Sequence, residues 1–522
     1  MSLKNFWSLK GRVCRVANKN SQIQGGAILA YILIFLNATY GLFLTPYIIG
    51  QIGTASYGVY KTVSAFTSSL MVLDLGLGGT MMRYISKYRT EKEEHKIPNF
   101  IAMGIVQASV MCCVVGVVSF VLYFFLDEIY SGGLTARELV EAKTLYIVLS
   151  LCLLTHIFEN LLNGIISGYN RFVFANGIKV TRLLARIALV VVFLGVFKSS
   201  FALVLVDLVV TLGFVLSEVL YLLFNIRAKV KLIQWDRAVF SESFVYTILM
   251  FLTFIVAQAN TNFSNIIIGS LISSVAVAVY SMALLIFGIY EQLSTAISGV
   301  VLPTVTEVLK HDDEKYTNTT KLVIKAGRIQ FLLLGAALAG FLVLGRQFID
   351  MWLGGGYEDV YYITLILIGP ALFELCINVC LSILRAKNML GFRTIVIAIS
   401  AFINLMVSLL LVRKFGYYVC AISSSLCYFT SSVVVMGIYY YKKFKINLLV
   451  LYKKIFSKIW LCIVFSSVAA VGAVCIFSGT VHEFVGGFVA FVVTYGATLL
   501  AFGLDKNEKD ILYSKIRRNK ND

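Results

Sequence analysis

Charged and amide side chains set inside long apolar runs are the residues of this sequence able to do chemistry. Each ionisable one costs at least about 2.5–3.5 kcal/mol at the centre of a bilayer, so it calls for a partner or water. Lys179, Arg182 and Arg186 stand at i, i+3 and i+7, which puts them on one helical face. A guanidinium pairs with phosphate in a two-pronged fork, so the stripe could hold an anionic head group. The alternative is that the helix begins late and the three side chains snorkel to the membrane surface. Arg186 is the deepest, about 20 Å along the span by helical rise. Lys61 either snorkels outward or meets the same anion. Asp74 and Arg83 flank Gly76, Gly78 and Gly79, where close helix packing accounts for the glycines and an intramembrane pair or proton site would account for Asp74.

Glu291, Glu159, Asp207, Glu218 and Glu374 are further acids at membrane depth. Each either binds a coupling H⁺ or Na⁺ or pairs with a neighbouring helix; Glu291 is favoured for coupling because it sits in an apolar run beside Tyr290 and Gln292. Gln258, Asn260, Thr261, Asn262, Ser264 and Asn265 crowd into one short stretch. Amides in hydrocarbon are costly unless hydrogen-bonded, so this stretch is expected to wall a water-filled cavity and meet ligand hydroxyls, with Asn37 opposite.

Enzymatic readings fail on inventory. His95, His156, His311 and His482 are dispersed, and no Walker motif, dinucleotide fingerprint or zincin pair occurs. The closest cysteines, Cys112 with Cys113 and Cys376 with Cys380, lie in apolar runs without a histidine partner and read as small packing residues. The expectation is a protein that is no enzyme and holds neither cofactor nor metal, with energy drawn from an H⁺ or Na⁺ gradient, the membrane potential or substrate supply.

The elements that must position these residues follow from composition. The chain has 522 residues, 59% hydrophobic and 14% charged, with mean hydropathy +0.86. That leaves too little polar surface to cover a water-soluble globule. Four prolines and runs far longer than ten residues favour helices over a β-barrel. The net charge of +18 could suggest nucleic acid, but the basic residues lie between apolar segments, which reads as topology and predicts no nucleic-acid partner.

About fourteen spans are predicted, near 25–50, 54–85, 99–126, 144–168, 173–197, 200–224, 241–270, 274–306, 320–344, 358–384, 391–413, 416–441, 455–478 and 482–504. An even number puts both termini on one side. Alternate loops and termini on that side hold about 35 Lys and Arg against about 6 opposite, which makes it cytoplasmic. The stretch 25–50 is too long for a signal-peptide core and stays as the first span. Connections such as Gln51 to Ala55 and Gly479 to His482 leave no room for an external domain.

An internal repeat shapes the domain plan. Ile48-Ile49-Gly50 recurs as Ile267-Ile268-Gly269, Tyr57-Gly58-Val59-Tyr60 loosely as Val277-Ala278-Val279-Tyr280, and Asn160 and Asn170 as Asn378 and Asn388, at offsets of 218 to 220. This implies a cytoplasmic basic N-terminus (1–24), a six-helix lobe (25–225), a cytoplasmic linker (226–240), a second six-helix lobe (241–445), a helix pair (446–504) and a basic tail (505–522). Six is even, so the lobes enter the membrane in the same sense, and a cleft between them is the expected place for alternating access.

Pro46-Tyr47-Ile48-Ile49-Gly50, then Tyr57-Gly58-Val59-Tyr60, then Leu73 to Gly78 leading to Arg83-Tyr84-Ile85-Ser86, resembles the opening of bacterial polysaccharide flippases of the O-antigen and capsule type. These belong to the multidrug/oligosaccharidyl-lipid/polysaccharide exporter superfamily. Gly345 to Gly354, Arg385-Ala386-Lys387-Asn388, Asn404 and Phe415-Gly416 resemble later segments of the same family. The resemblance implies an all-α polytopic fold with a MATE-like V shape in the inner membrane. It implies translocation of undecaprenyl-diphosphate-linked oligosaccharide, with membrane lipid, a polymerase and glycosyltransferases as partners. Where relatives often carry a charged residue in the seventh span, this chain has Asn262 and Asn265.

On this reading Arg182, Arg186 and Lys61 hold phosphate, the seventh-span amides contact sugar, and the prenyl tail stays in lipid. The rivals are a multidrug/cation antiporter on the same fold, which would want an acid-dominated cavity, and a non-transporting scaffold for glycan assembly.

Overall fold

In the computed structural model, which describes residues 3–70, 76–232, 262–310, 316–387 and 389–504, every regular element is helical. The first elements are α1 Leu3–Ile52, α2 Thr54–Leu70, α3 Leu77–Thr90, α4 Ile97–Tyr130, α5 Ala136–Gly168, α6 Phe172–Phe197 and α7 Ser200–Tyr221. A wider π-helical turn, Leu222–Ile226, extends α7. Residues 262–271 form α8. There follow α9 Ser274–Lys310, α10 Thr317–Leu353, α11 Glu358–Cys376, α12 Val379–Ala386 and α13 Leu390–Phe415. The last are α14 Tyr418–Phe429, α15 Met436–Phe444, α16 Leu448–Phe456, α17 Ile459–Ile476 and α18 Thr480–Thr498.

Twelve helical stretches among the described residues are long and apolar enough to cross a membrane, so the chain is a multi-pass helical membrane protein. Two of the fourteen predicted spans are missing from the twelve, for separate reasons. Residues 71–75 lie outside the described residues and Gly76 is left-handed (φ 66°), so the predicted span 54–85 appears as α2 and α3, each too short to qualify. Most of span 241–270 falls outside the described residues, as do the candidates Asp74, Gln258 and Asn260.

Local chemistry sets the helix ends near the charged stripe. Thr135 and Glu138 form a reciprocal capping box that starts α5. Lys198 turns left-handed to end α6, and the Ser199 hydroxyl accepts the Phe201 amide at 3.2 Å to start α7. This two-residue link forces α6 and α7 to run antiparallel in contact, so that positions either side of the turn face each other. Helices α3 and α5 cross where Gly78 meets Gly164: a Cβ on Gly164 would lie 2.3 Å from the Gly78 carbonyl oxygen.

The chain divides into two compact units, Met1–Ser281 and Met282–Asp522. Residues 262–281, which the internal repeat places in the second half, pack with the first unit. The first unit is built on a cluster around Leu77, Met81, Ile85 and Leu161, with another around Val59, Val63, Tyr130 and Val204. The second is built around Val323, Leu334, Cys376, Ile383 and Phe444. Large apolar side chains such as Val485, Phe488 and Val489 on α18 remain exposed, as lipid-facing residues must.

Candidate functional site

Within the first unit, α1, α2, α5, α6 and α7 enclose a cavity of about 550 Å³. The face of α6 that carries Lys179, Arg182 and Arg186 forms one wall, and all three line the space. They turn into the bundle rather than out to the membrane surface.

Each arginine meets a carboxylate from a neighbouring helix. Arg186 grips Asp207 of α7 in a two-pronged fork, with Nη2 to Oδ2 at 2.9 Å and Nε donating to Oδ1. Its guanidinium also donates to the Tyr40 hydroxyl, lies 5.2 Å from the centre of that ring, and reaches the Tyr60 hydroxyl at 3.4 Å. Arg182 pairs with Glu159 of α5 and donates to the Thr211 hydroxyl at 2.9 Å. The other Glu159 oxygen is 2.8 Å from His156 Nδ1. Lys179 has no ion pair among the described residues.

Three cations therefore stand against two carboxylates in the cavity wall. The acids orient the arginines and offset their burial, while Lys179 leaves the space electropositive. Amides and hydroxyls complete it: Asn37, Ser64, Thr67, Asn160 and Asn163 are lining residues. Asn37 Nδ2 also donates to the Leu33 carbonyl, one turn back, at 2.9 Å. The space can thus receive a polar anion through N–H donors that are held in place before it arrives.

The remaining sequence candidates lie elsewhere. Lys61 stacks over Tyr57 (5.4 Å) and Tyr60 (5.8 Å), beside the cavity wall but not part of it. Arg83 is exposed on α3, over the Tyr84 ring at 6.0 Å. Asn262 and Asn265 are on α8 and are not lining residues; Asn265 is buried, with its Oδ1 lacking a hydrogen-bond partner among the described residues. Glu291 lies in the second unit, half-buried on α9.

Several residues gain importance only in three dimensions. His156, one of four scattered histidines in the sequence, becomes a neighbour of Glu159. Tyr40, Tyr60 and Thr211 become guanidinium partners, and nothing in their spacing marks them. Asp207 and Glu218 are visible in sequence as acids at membrane depth, which was the available signal. Glu218 is 2% exposed, takes a hydrogen bond from Asn163 at 3.3 Å and leaves Oε2 without a partner among the described residues.

The sequence profile of a family described as polysaccharide biosynthesis protein matches residues 24–309, more than half of the chain. The chain belongs to this family. No curated protein sequence matches it. Among solved structures, this polysaccharide biosynthesis family member is similar to the lipid II flippase MurJ in an inward closed conformation. The TM-score is 0.64 at 14% identity, over 91% of this chain and 99% of that one. It is also similar to an inward-facing multidrug resistance MATE family transporter of the MOP superfamily, with TM-score 0.60 at 14% identity over 81% and 95% of the two chains. A MOP superfamily transporter from Pyrococcus furiosus matches at TM-score 0.51 and 12% identity, over 83% and 94%. These likenesses show that the fold is MATE-like and all-α.

Proposed function

We propose that this protein is a transporter of a lipid-linked substrate, and specifically a flippase for an undecaprenyl-diphosphate-linked oligosaccharide in the making of surface polysaccharide. The observation that carries the reading is the cavity with three cations and two carboxylates inside a member of a polysaccharide biosynthesis family. Moving a diphosphate and several sugars through about 30 Å of hydrocarbon requires replacement of their hydration. Lys179, Arg182 and Arg186 supply charge-assisted donors for phosphate, and Asn37, Asn160 and Asn163 supply amides for sugar hydroxyls. Lys61 and the α8 amides act along the path rather than in this cavity.

Since Arg182 and Arg186 are already paired, an arriving diphosphate competes with Glu159 and Asp207 for them. Exchange of partners, with Lys179 as the first contact, keeps the bound state shallow enough for release. Glu159, bonded to His156 in the cavity wall, is the acid we assign to H⁺ coupling. We place the protein in the inner membrane with both termini cytoplasmic, as the charge count indicates. The lipid-linked substrate is made by glycosyltransferases and received by a polymerase.

Cells lacking the native gene and carrying Arg186→Ala should lose surface polysaccharide and accumulate lipid-linked precursor. Unchanged surface polysaccharide would remove Arg186 from the mechanism. In proteoliposomes, Glu159→Gln should abolish the response of transport to an imposed proton gradient; a retained response moves coupling elsewhere. Dye efflux measured in parallel separates the antiporter reading, which predicts efflux that the cation-rich cavity does not favour.

A further inference from the structure

A second hollow of the first unit, about 720 Å³, runs between Gln22 of α1 and the α6 and α7 helices. On α6 it takes Phe174, Gly177, Ile178 and Thr181, which point away from the face that bears Lys179, Arg182 and Arg186. From α7 and its π-helical extension come Phe214, Leu220 and Phe224, and both Leu220 and Phe224 are exposed toward lipid. Two of its hydroxyls are spent locally: Thr181 donates to the Gly177 carbonyl at 3.0 Å and Ser217 to the Gly213 carbonyl at 2.9 Å, while the Tyr221 ring stacks on Phe174. Gln22 likewise uses its side-chain oxygen to accept the Val173 amide at 3.2 Å. What the groove presents is therefore mostly hydrocarbon and ring, with the Tyr221 hydroxyl and the Asn225 amide also in its lining.

Its floor is kept low by Gly177, where an added Cβ would meet only Leu29 Cδ1 at 3.8 Å. Its rim is basic. Arg171 lies two residues before Val173 and Arg227 two residues beyond Asn225, both groove-lining positions, and both arginines are exposed. An apolar trough that ends at two arginines is complementary to a lipid with a long chain and a multiply charged head. A lipid with one phosphate charge would use less of that rim.

We propose that this groove docks the prenyl tail of the lipid-linked glycan diphosphate, with the diphosphate at the Arg171 and Arg227 rim, before the head group passes to the cavity on the other face of α6. The proposal rests on the flippase reading above.

The test uses the full chain in phosphatidylcholine vesicles with a diazirine-bearing polyprenyl diphosphate as probe, and maps the photolabelled peptides. Labelling should concentrate on 172–181 and 214–225. Gly177→Leu fills the floor, raises local helix propensity so that folding is favoured, and should cut labelling about tenfold, the binding lost with about two buried methylenes. Arg171→Ala with Arg227→Ala should cut it comparably and flatten its dependence on salt. An excess of phosphatidylglycerol should not displace the probe.

Labelling spread evenly over lipid-facing helices, insensitivity to Gly177→Leu, or displacement by phosphatidylglycerol would each overturn the proposal, the last by making the groove a general lipid site. Groove labelling that persists while Arg186→Ala transports normally would leave the groove standing and sink the cavity. Absent labelling with Arg186→Ala inactive would do the reverse.

Discussion

The two units treat intramembrane charge in opposite ways. In the first, arginines, acids and a lysine line a space of about 550 Å³, and Lys179 stands there without an ion pair among the described residues. In the second, Arg328, Arg393 and Glu374 are consumed by structure. Arg328 on α10 is 6% exposed and donates to the carbonyls of Lys454 and Ser457 at 3.3 and 3.4 Å and of Gly503 at 3.2 Å, which closes the open ends of α16 and of the turn after α18. Arg393 is 3.2 Å from Glu374, whose other oxygen accepts the Tyr428 hydroxyl. The space around that pair is about 10 Å³, room for one water.

The internal repeat sharpens the contrast. At an offset of 218, Asn160 corresponds to Asn378, and His156 to Glu374. Asn160 borders the large cavity; Asn378 borders the small one and reaches Ser294 Oγ at 3.4 Å. Positions at this offset thus carry polar side chains in both units, while the space beside them is open in the first and filled in the second. A buried charge marks a ligand site only where its hydrogen-bonding capacity is left unspent.

Substitutions can break this comparison. The largest effect is expected for Arg186→Ala, which strands Asp207: folding stability should fall by about 3–5 kcal/mol, read by thermal unfolding in detergent, together with loss of export. Adding Asp207→Ala should recover much of the stability and none of the transport. If transport returned as well, the first unit's pair would be structural, like those of the second.

Next comes Arg328→Met, which removes donors from three carbonyls and should cost about 1–3 kcal/mol. Export per folded molecule should stay near wild type, and a tenfold loss (about 1.4 kcal/mol) would show that the second unit's arginine acts on substrate. The smallest stability effect belongs to Lys179→Ala, under about 1 kcal/mol because no ion pair is lost. Its transport should nevertheless drop clearly at unchanged expression, and a variant that exports normally would end the role of Lys179 as first contact.

Much of this was legible in sequence. Apolar periodicity marked the spans because lipid demands about twenty apolar residues per crossing, and the i, i+3, i+7 spacing put the α6 cations on one face before any neighbour was known. The stretch from Gln258 to Asn265 reads as a cavity wall for the same energetic reason; only its residues from 262 on are described, and of these Asn265 is buried and does not line the cavity of the first unit. Polarity in a span says that a partner must exist, not whether it is water, ligand or protein. Arg328 and Arg393 stand toward the starts of the predicted spans 320–344 and 391–413, where a charge bound for the interior looks like one bound for the surface.

Composition and spacing by themselves determined that this chain is a helical membrane protein, and on which face of α6 its cations stand; these depend on hydropathy and on the geometry of one helix. Only the tertiary structure decided which charges are spent. Arg186 and Asp207 are 21 residues apart, Arg182 and Glu159 are 23, and Arg328 reaches a carbonyl 175 residues away. Such partners are chosen by how helices pack, and helical spacing within one span carries no record of its neighbours.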